Sequence, residues 1–277
     1  MVRPEAVRRL IVNADDFGRS HAINEAVARA HREGILTTAS LMVNGEAADE
    51  AVEVARQNPR LGVGLHVSLV RGTSALTPGE IPGLVDAAGN FSDHPAGTGL
   101  RYFFRKDLRP QLEREIQVQF GKFRSTGLPL DHVNGHLHFH LHPVVFGILM
   151  NHARDRGITG FRLTRDFFRL NLRLASGHFF YRVSHALLFS LLAPRARRVL
   201  RRLGIKHTSA VFGLLQNGRV DEDYVSRLIP RLPTGDSELY SHPSLDEFKS
   251  EFDALISPRV RSLVEQHHVK LIRYQDL

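Results

Sequence analysis

The sequence predicts a parallel β/α fold and, at 277 residues, a barrel rather than an open sheet. Three observations carry that reading. Short β-rich runs alternate with amphipathic helical patterns about seven times along the chain. No linker or internal repeat divides it, so one domain over 1–277 is expected, with a basic amphipathic insertion at about 166–206. The unusual polar residues also fall at the ends of the apolar runs, where a β/α barrel gathers its functional groups.

Leu10 to Asn13 reads as the first strand, followed by a helix with Ser20 as N-cap, Ile23, Val27 and Ala30 on one face, and Gly34 past its end. "TASLMVN" (38–44) reads as a strand, "EAADEAVEVARQN" as a helix, and "LGVGLHVSL" (61–69) as a strand. A Gly/Pro-rich loop from Arg71 to about Gly99 precedes a helix from about Asp107 to Thr126, then strand "LDHVN" (130–134). The next helix starts with Pro143 in its first turn and runs to Gly157, and "GFRLT" is the following strand. After the basic segment come strand "SAVFGLL", a helix capped by Asp221 and running through Leu232, and strand "SELYSH". Ser244 and Glu247 have the spacing of a capping box, and "HVKLIRY" reads as the last strand.

Composition excludes several classes. With 42% hydrophobic and 24% charged residues the chain is an ordinary globular one, and the absence of Cys removes disulfides, thiolate metal sites and Cys nucleophiles. Sixteen histidines remain as candidate ligands. Arg3, Arg8 and Arg9 precede only Leu10 to Val12 as an apolar stretch, too short for a secretory core, so a cytoplasmic location is expected. The longest apolar run, Ala186 to Ala193, falls far short of the roughly 18 residues of a spanning helix.

Asp15 and Asp16 end the first strand, His66 lies late in the third, and His136 and His138 follow "LDHVN". Arg162 follows "GF", and His242 ends "SELYS". Each has a bland reading: a turn, a half-buried strand histidine, a solvated His-rich loop in "HLHFHLHP". Their joint occurrence at matching strand ends favours a site. One Asp with two His makes an O, N, N ligand set that suits Zn²⁺ or a similar first-row divalent ion and leaves positions open, the arrangement of metal-assisted hydrolysis.

"IVNADDFG", "GLHVSL", "DHVNGHLHFHLHP" and "YSHP" together resemble the motifs of the YdjC-like carbohydrate deacetylase family, which includes the chito-oligosaccharide deacetylases; the resemblance runs from Arg9 nearly to Leu277. It implies a distorted barrel, one divalent metal (Zn by ligand type, with Mg, Ni, Co or Mn as alternatives), and hydrolysis of an N-acetyl group on an amino sugar. By position, Asp16, His66 and His136 match the family's metal ligands. By similarity to the broader Asp-Asp deacetylases, Asp15 matches the general base and His242 the acid, with His138 as the alternative acid. Arg162 matches an arginine of the barrel that could orient Asp15 or touch substrate, and Asn134 and His138 are further candidates for substrate-binding or orienting roles. Many members read Asp-Ser-His-His-His where this chain has Asn134-Gly135-His136-Leu137-His138, so a role for the first Asp or the middle His is not available here.

The net charge of +8 is concentrated. Residues 154–206 carry thirteen Arg or Lys against Asp155 and Asp166, a local +11 that leaves −3 for the rest. The departure at Asn134, with this segment, resembles the hopanoid-biosynthesis-associated branch, which implies an N-acetylglucosaminyl hopanoid as substrate; soluble chito-oligosaccharides are the alternative, and a metal-dependent phosphoesterase a more distant one. The apolar run Leu187 to Leu192 argues against nucleic acid and for a peripheral, membrane-touching lid, placing the protein on the inner membrane face. A solvated helical face, a non-catalytic lipid-binding module and a homodimer are the other states left open.

Overall fold

The structure, a computed structural model, describes residues 7–277, so Arg3 lies outside the described residues. In chain order the elements are β1 (Arg8–Phe17), α1 (His21–Glu33), β2 (Thr38–Leu41), α2 (Ala48–Gln57), β3 (Gly62–Val67), α3 (Pro95–Phe104), α4 (Arg109–Ser125), β4 (Val133–Gly135), α5 (Pro143–Asn151), α6 (Phe168–Leu174), α7 (Phe179–Leu203), β5 (Ala210–Phe212), α8 (Glu222–Leu228), β6 (Gly235–Ser241), α9 (Lys249–Ile256), α10 (Pro258–Gln266) and β7 (Val269–Leu271).

All strand pairings are parallel, in the order β4-β3-β2-β1-β6-β5 with β7 on β1. β6 follows one edge of β1 from Arg8 to Ala14. On the other edge β7 pairs with Arg8–Leu10, and β2 takes over from Asn13. Between β4 and β5 the circuit is completed by the segment 160–165: Phe161 bridges to Val133, Gly160 bridges to Lys206, and the Val211 N–H donates to the Arg165 carbonyl at 2.9 Å. The expected strand "GFRLT" therefore makes single bridges and no ladder, since the β4 and β5 ladders it lies between are each only three residues long. This is a distorted barrel.

Local signals place most elements. The side chain of Ser20 accepts from Ile23 N–H, that of Asp221 from Tyr224 N–H, and that of Ser257 from Val260 N–H, so each cap satisfies a free donor of a first turn. The Ser244–Glu247 capping box does not form. Ser244 Oγ instead bonds the Asp246 carboxylate, and α9 starts two residues after Glu247, at Lys249. Helix α3 lies partly within the expected loop, started by Pro95 at its first turn, and α5 stops at Asn151.

The barrel wall separates two environments. Leu10, Val12 and Ala14 of β1 face outward into the main core, whereas Ile11 packs in a separate inner cluster with Ile272 and Tyr274, which follow β7. Above that floor the interior is polar: Asn13, Thr38, Ser40, His132 and Asn134 are all fully buried and hydrogen-bonded to one another. A buried polar interior is tolerable only when its groups find partners in this way.

The basic segment stands beside the mouth of the barrel. Helix α7 packs on α5, α6 and the short 3₁₀ turns at 136–141 and 214–216. It buries Phe189, Ala193, Ala196 and Leu200, ends at Gly204 in the left-handed region (φ 70°), and leaves Phe180, Leu187, Leu188 and Leu191 exposed.

Gly64 on β3 makes room for the barrel interior: a Cβ there would lie 2.5–2.6 Å from three atoms of the His132 ring. Gly64→Ala is expected to cost about 1–3 kcal/mol as overpacking, read as a lower denaturant midpoint at unchanged slope. Gly79→Ala, whose Cβ would meet nothing within 4 Å, should stay near wild type.

Candidate metal centre

The two adjacent carboxylates are separated by the backbone. Pairing of β1 with β2 shifts register between Ala14 and Phe17, and Asp16 takes a left-handed conformation (φ 62°). Asp is one of the few residues that tolerates this region, and a bulge at a strand end re-aims the side chain it carries. Asp15 thus keeps the inward alternation of Asn13, while Asp16 turns to the mouth.

Asp16 Oδ1 lies 2.9 Å from His136 Nδ1 and 3.3 Å from His66 Nε2, and Arg19 approaches Oδ2 at 3.3 Å. One ligand atom from each of Asp16, His66 and His136 lies within 4.8 Å of the others, and all three residues are buried. The tautomer of His66 follows from its neighbours. Asn134 Nδ2 faces the Asp15 carboxylate, which only accepts, so Asn134 Oδ1 must face His66 Nδ1 at 2.7 Å and accept its proton. His66 Nε2 is then a lone pair directed at Asp16, buried and without a hydrogen-bond partner among the described residues. Two electron-rich atoms facing each other fit a divalent cation, and the Asn134 contact is the outer support such a ligand needs.

Asp15 lies beneath this cluster. Arg162 Nη1 and Nη2 donate to its two oxygens at 2.6 and 3.0 Å, and Asn13 and Asn134 donate to Oδ1 at 2.9 and 3.1 Å. Burial would raise the Asp15 carboxyl, but Arg162 outweighs it and holds the group well below the usual carboxylate range. Burial likewise opposes ionisation of Asp16, and its contact with His136, together with the charge of His242, reverses that, so it too stays ionised.

His242 sits at the end of β6, its backbone N–H donating to Glu251 Oε2 at 2.6 Å and its Nδ1 3.8 Å from the same oxygen. Burial disfavours the imidazolium, yet Glu251, Asp16 and Asp15 together raise its pKa to about 9. His138 is placed differently. Leu137 and His138 are both left-handed, which turns the ring away to hydrogen-bond Tyr240 Oη (2.9 Å) and Thr164 Oγ1 (3.3 Å). Burial and then Arg162 push its pKa well below the ordinary value.

A cleft of about 610 Å³ opens over the cluster, lined by Asp16, His136 and His242 with Arg71, Asn217 and Phe248 among others. None of its lining residues belongs to 166–206, so the expected lid does not cover it. A larger groove of about 940 Å³ between α2 and α4 contains none of the clustered residues. Of the residues singled out from sequence, Asp16, His136 and His242 reach the cleft; Asp15, His66, Asn134 and Arg162 lie under it; His138 is turned aside. Glu238 escaped the sequence reading, although alternation in "SELYSH" puts it on the same face as Tyr240 and His242. It is fully buried and accepts from Arg162 Nε and Nη2 at 2.9 and 2.7 Å.

The YdjC-like protein family matches residues 9–266. The chain is 39% identical over 150 residues to the carbohydrate deacetylase of Brevibacillus brevis, covering 53% of this chain and 56% of that one. It is 36% identical over 154 residues to the chitooligosaccharide deacetylase of Salmonella dublin, covering 54% and 58%. The matched stretch thus spans somewhat over half the length of these curated relatives. A solved structure from Enterococcus faecalis V583, provisionally described as a cellobiose-phosphate cleavage protein, shares the fold at 19% identity, with TM-score 0.74 and 98% of both chains covered.

In the metal-free protein the His242 imidazole should titrate near pH 9, against an ordinary 6.5, when followed by NMR. Its raised pKa means that the pairing with Glu251 stabilises the fold fully below about 6.5 and is lost as pH rises through about 9. Glu251→Gln should move that midpoint down; an unmoved midpoint would contradict the pairing.

Proposed function

Because this chain belongs to the YdjC-like protein family, we propose that it is a metal-dependent hydrolase that removes the N-acetyl group from an amino sugar. The observation that carries this reading is the buried Asp16–His66–His136 set at the base of the cleft, with His66 Nε2 unpartnered. These three residues would hold one divalent ion, with Zn²⁺ favoured by the two imidazoles. When bound, such an ion polarises a carbonyl and makes a water molecule easier to deprotonate.

The chain's own groups supply the rest. An amide needs a base for the attacking water and an acid for the departing nitrogen. Asp15 is the base in this reading, held ionised by Arg162. That same pairing weakens it as a base, so it depends on a water already acidified. His242 is the acid: it lines the cleft, and its pKa of about 9 keeps it protonated at neutral pH. Asn134 orients both Asp15 and His66. His138, engaged by Tyr240 and Thr164, positions the β6 wall and is not the proton donor.

The substrate we favour is an amphipathic glycolipid, an N-acetylglucosaminyl hopanoid, met at a membrane surface. Its support is α7, where the exposed Phe180, Leu187, Leu188 and Leu191 recur at helical spacing and are followed by the exposed Arg195, Arg198, Arg201 and Arg202. Each such arginine contributes roughly 1 kcal/mol near an anionic surface. Among the described residues no helix is long and apolar enough to cross a membrane, so contact would be peripheral.

Acetate release should be seen from the glycolipid in detergent, be abolished by a chelator, and fall about a hundred- to ten-thousandfold in Asp15→Asn. Turnover of diacetylchitobiose alone would overturn the lipid assignment and keep the deacetylase. Acetate from neither substrate, with the metal bound, would overturn both. Separately, Leu187→Glu with Leu191→Glu should reduce sedimentation with anionic vesicles while leaving turnover of a detergent-dispersed substrate intact; unchanged vesicle binding would remove α7 from the membrane reading.

A further inference from the structure

Asp15 is held by two hydrogen-bonded arms that run down the inside of the barrel and meet at its floor. In the first, Arg162 uses one edge on Asp15 and turns Nε and Nη2 to Glu238 Oε1, while Glu238 Oε2 accepts from the Tyr274 hydroxyl at 2.5 Å. In the second, the amides of Asn13 and Asn134 each donate both to Asp15 Oδ1 and to Ser40 Oγ, at 2.9 and 2.8 Å for the serine. Ser40 Oγ is 2.9 Å from His132 Nε2, and His132 Nδ1 is 2.9 Å from Asp131 Oδ2. Asp131 Oδ1 in turn accepts from the backbone N–H of Gln275 at 3.1 Å. The Tyr274 ring stacks on His132, with centroids 4.5 Å apart and planes 20° from parallel. Tyr274, Glu238, Arg162, His132, Asn13 and Ser40 are each fully buried. One dipeptide after β7 therefore closes both arms.

The sharing of Arg162 makes this more than packing. One guanidinium serves two carboxylates, so its position between them depends on what else each accepts. Asp15 has two asparagine donors, whereas Glu238 has the Tyr274 hydroxyl as its other side-chain donor among the described residues. Removing that hydroxyl leaves a buried carboxylate oxygen without a partner, and the mobile compensating donor is Arg162. Any shift of the guanidinium toward Glu238 is a shift away from Asp15.

We infer that Tyr274 is a positioning residue for the reaction: through Glu238 and Arg162, and through its stack on His132, it fixes the orientation of the Asp15 carboxylate at the opposite end of the barrel. This rests on the reading of Asp15 as a participant in deacetylation.

The test is Tyr274→Phe, which keeps the ring and deletes only the hydroxyl. Expected are a fall in kcat of about ten- to a hundredfold with KM within about twofold, and no further loss when the change is added to Asp15→Asn. A kcat equal to wild type, or losses that multiply in the double variant, would overturn the inference. Glu238→Gln, run through the same cycle, interrupts the first arm at its middle and replaces Tyr274→Phe should the latter not fold. A second readout needs no substrate: the Arg162 Nε–H resonance, identified by its absence in Arg162→Lys, should shift in Tyr274→Phe. Should wild type release no acetate, the deacetylase reading fails on its own. The resonance then decides the arm, a shift supporting it and an unshifted signal overturning it.

Discussion

The structure depends on one buried cation. Arg162 is fully enclosed in the barrel and donates to both Asp15 and Glu238. An ionised group in such a place is tolerable only when paired and hydrogen-bonded, and removing the shared guanidinium would strand buried carboxylates at a cost of about 3–5 kcal/mol. One cation shared by two carboxylates leaves each to find further donors: Asp15 takes the Asn13 and Asn134 amides, and Glu238 the Tyr274 hydroxyl.

Placing carboxylates of adjacent residues in different roles requires the backbone to separate them. The register shift at the end of β1 and the left-handed Asp16 do so, sending one carboxylate to Arg162 below and the other to the histidines above. A regular strand would also put them on opposite faces, but the wrong way for this purpose, with Asp16 directed out of the barrel. The local strain at Asp16 is of the kind that persists where the surrounding structure holds it in place. The same device recurs at Leu137 and His138, where two left-handed residues let His136 face the cluster and turn His138 to Tyr240 and Thr164.

The basic segment illustrates a division of labour within one helix. Phe189, Ala193, Ala196 and Leu200 of α7 bury one face against the barrel, and the stripe of exposed leucines follows from what that face leaves over. Arg182 belongs to neither surface: it is buried and donates to the Ala175 carbonyl and to Asn171 Oδ1, satisfying the end of α6. The local excess of positive charge therefore overstates what is available to a partner, and the exposed arginines cluster towards the C-terminal half of α7.

Periodicity, caps and residue type are local properties, and they determined a good deal by themselves. The alternation of strands and helices predicted the parallel barrel, Ser20 and Asp221 located helix starts, and Asp16, His66 and His136 fell at strand ends that converge. Ser244 and Glu247 misled because Asp246, between them, competes for the serine hydroxyl. "GFRLT" misled because its apolar pattern does not reveal how short the neighbouring ladders are. What only the tertiary structure decided is which buried polar groups pair across the barrel. Arg162 with Glu238, His132 with Ser40, and Tyr274 with His132 at the floor join residues up to 142 positions apart, and no local pattern encodes a contact whose partner is supplied by another strand. Alternation in "SELYSH" could have turned Glu238 inward, but only closure of the barrel sets a guanidinium on one side of it and a phenol on the other.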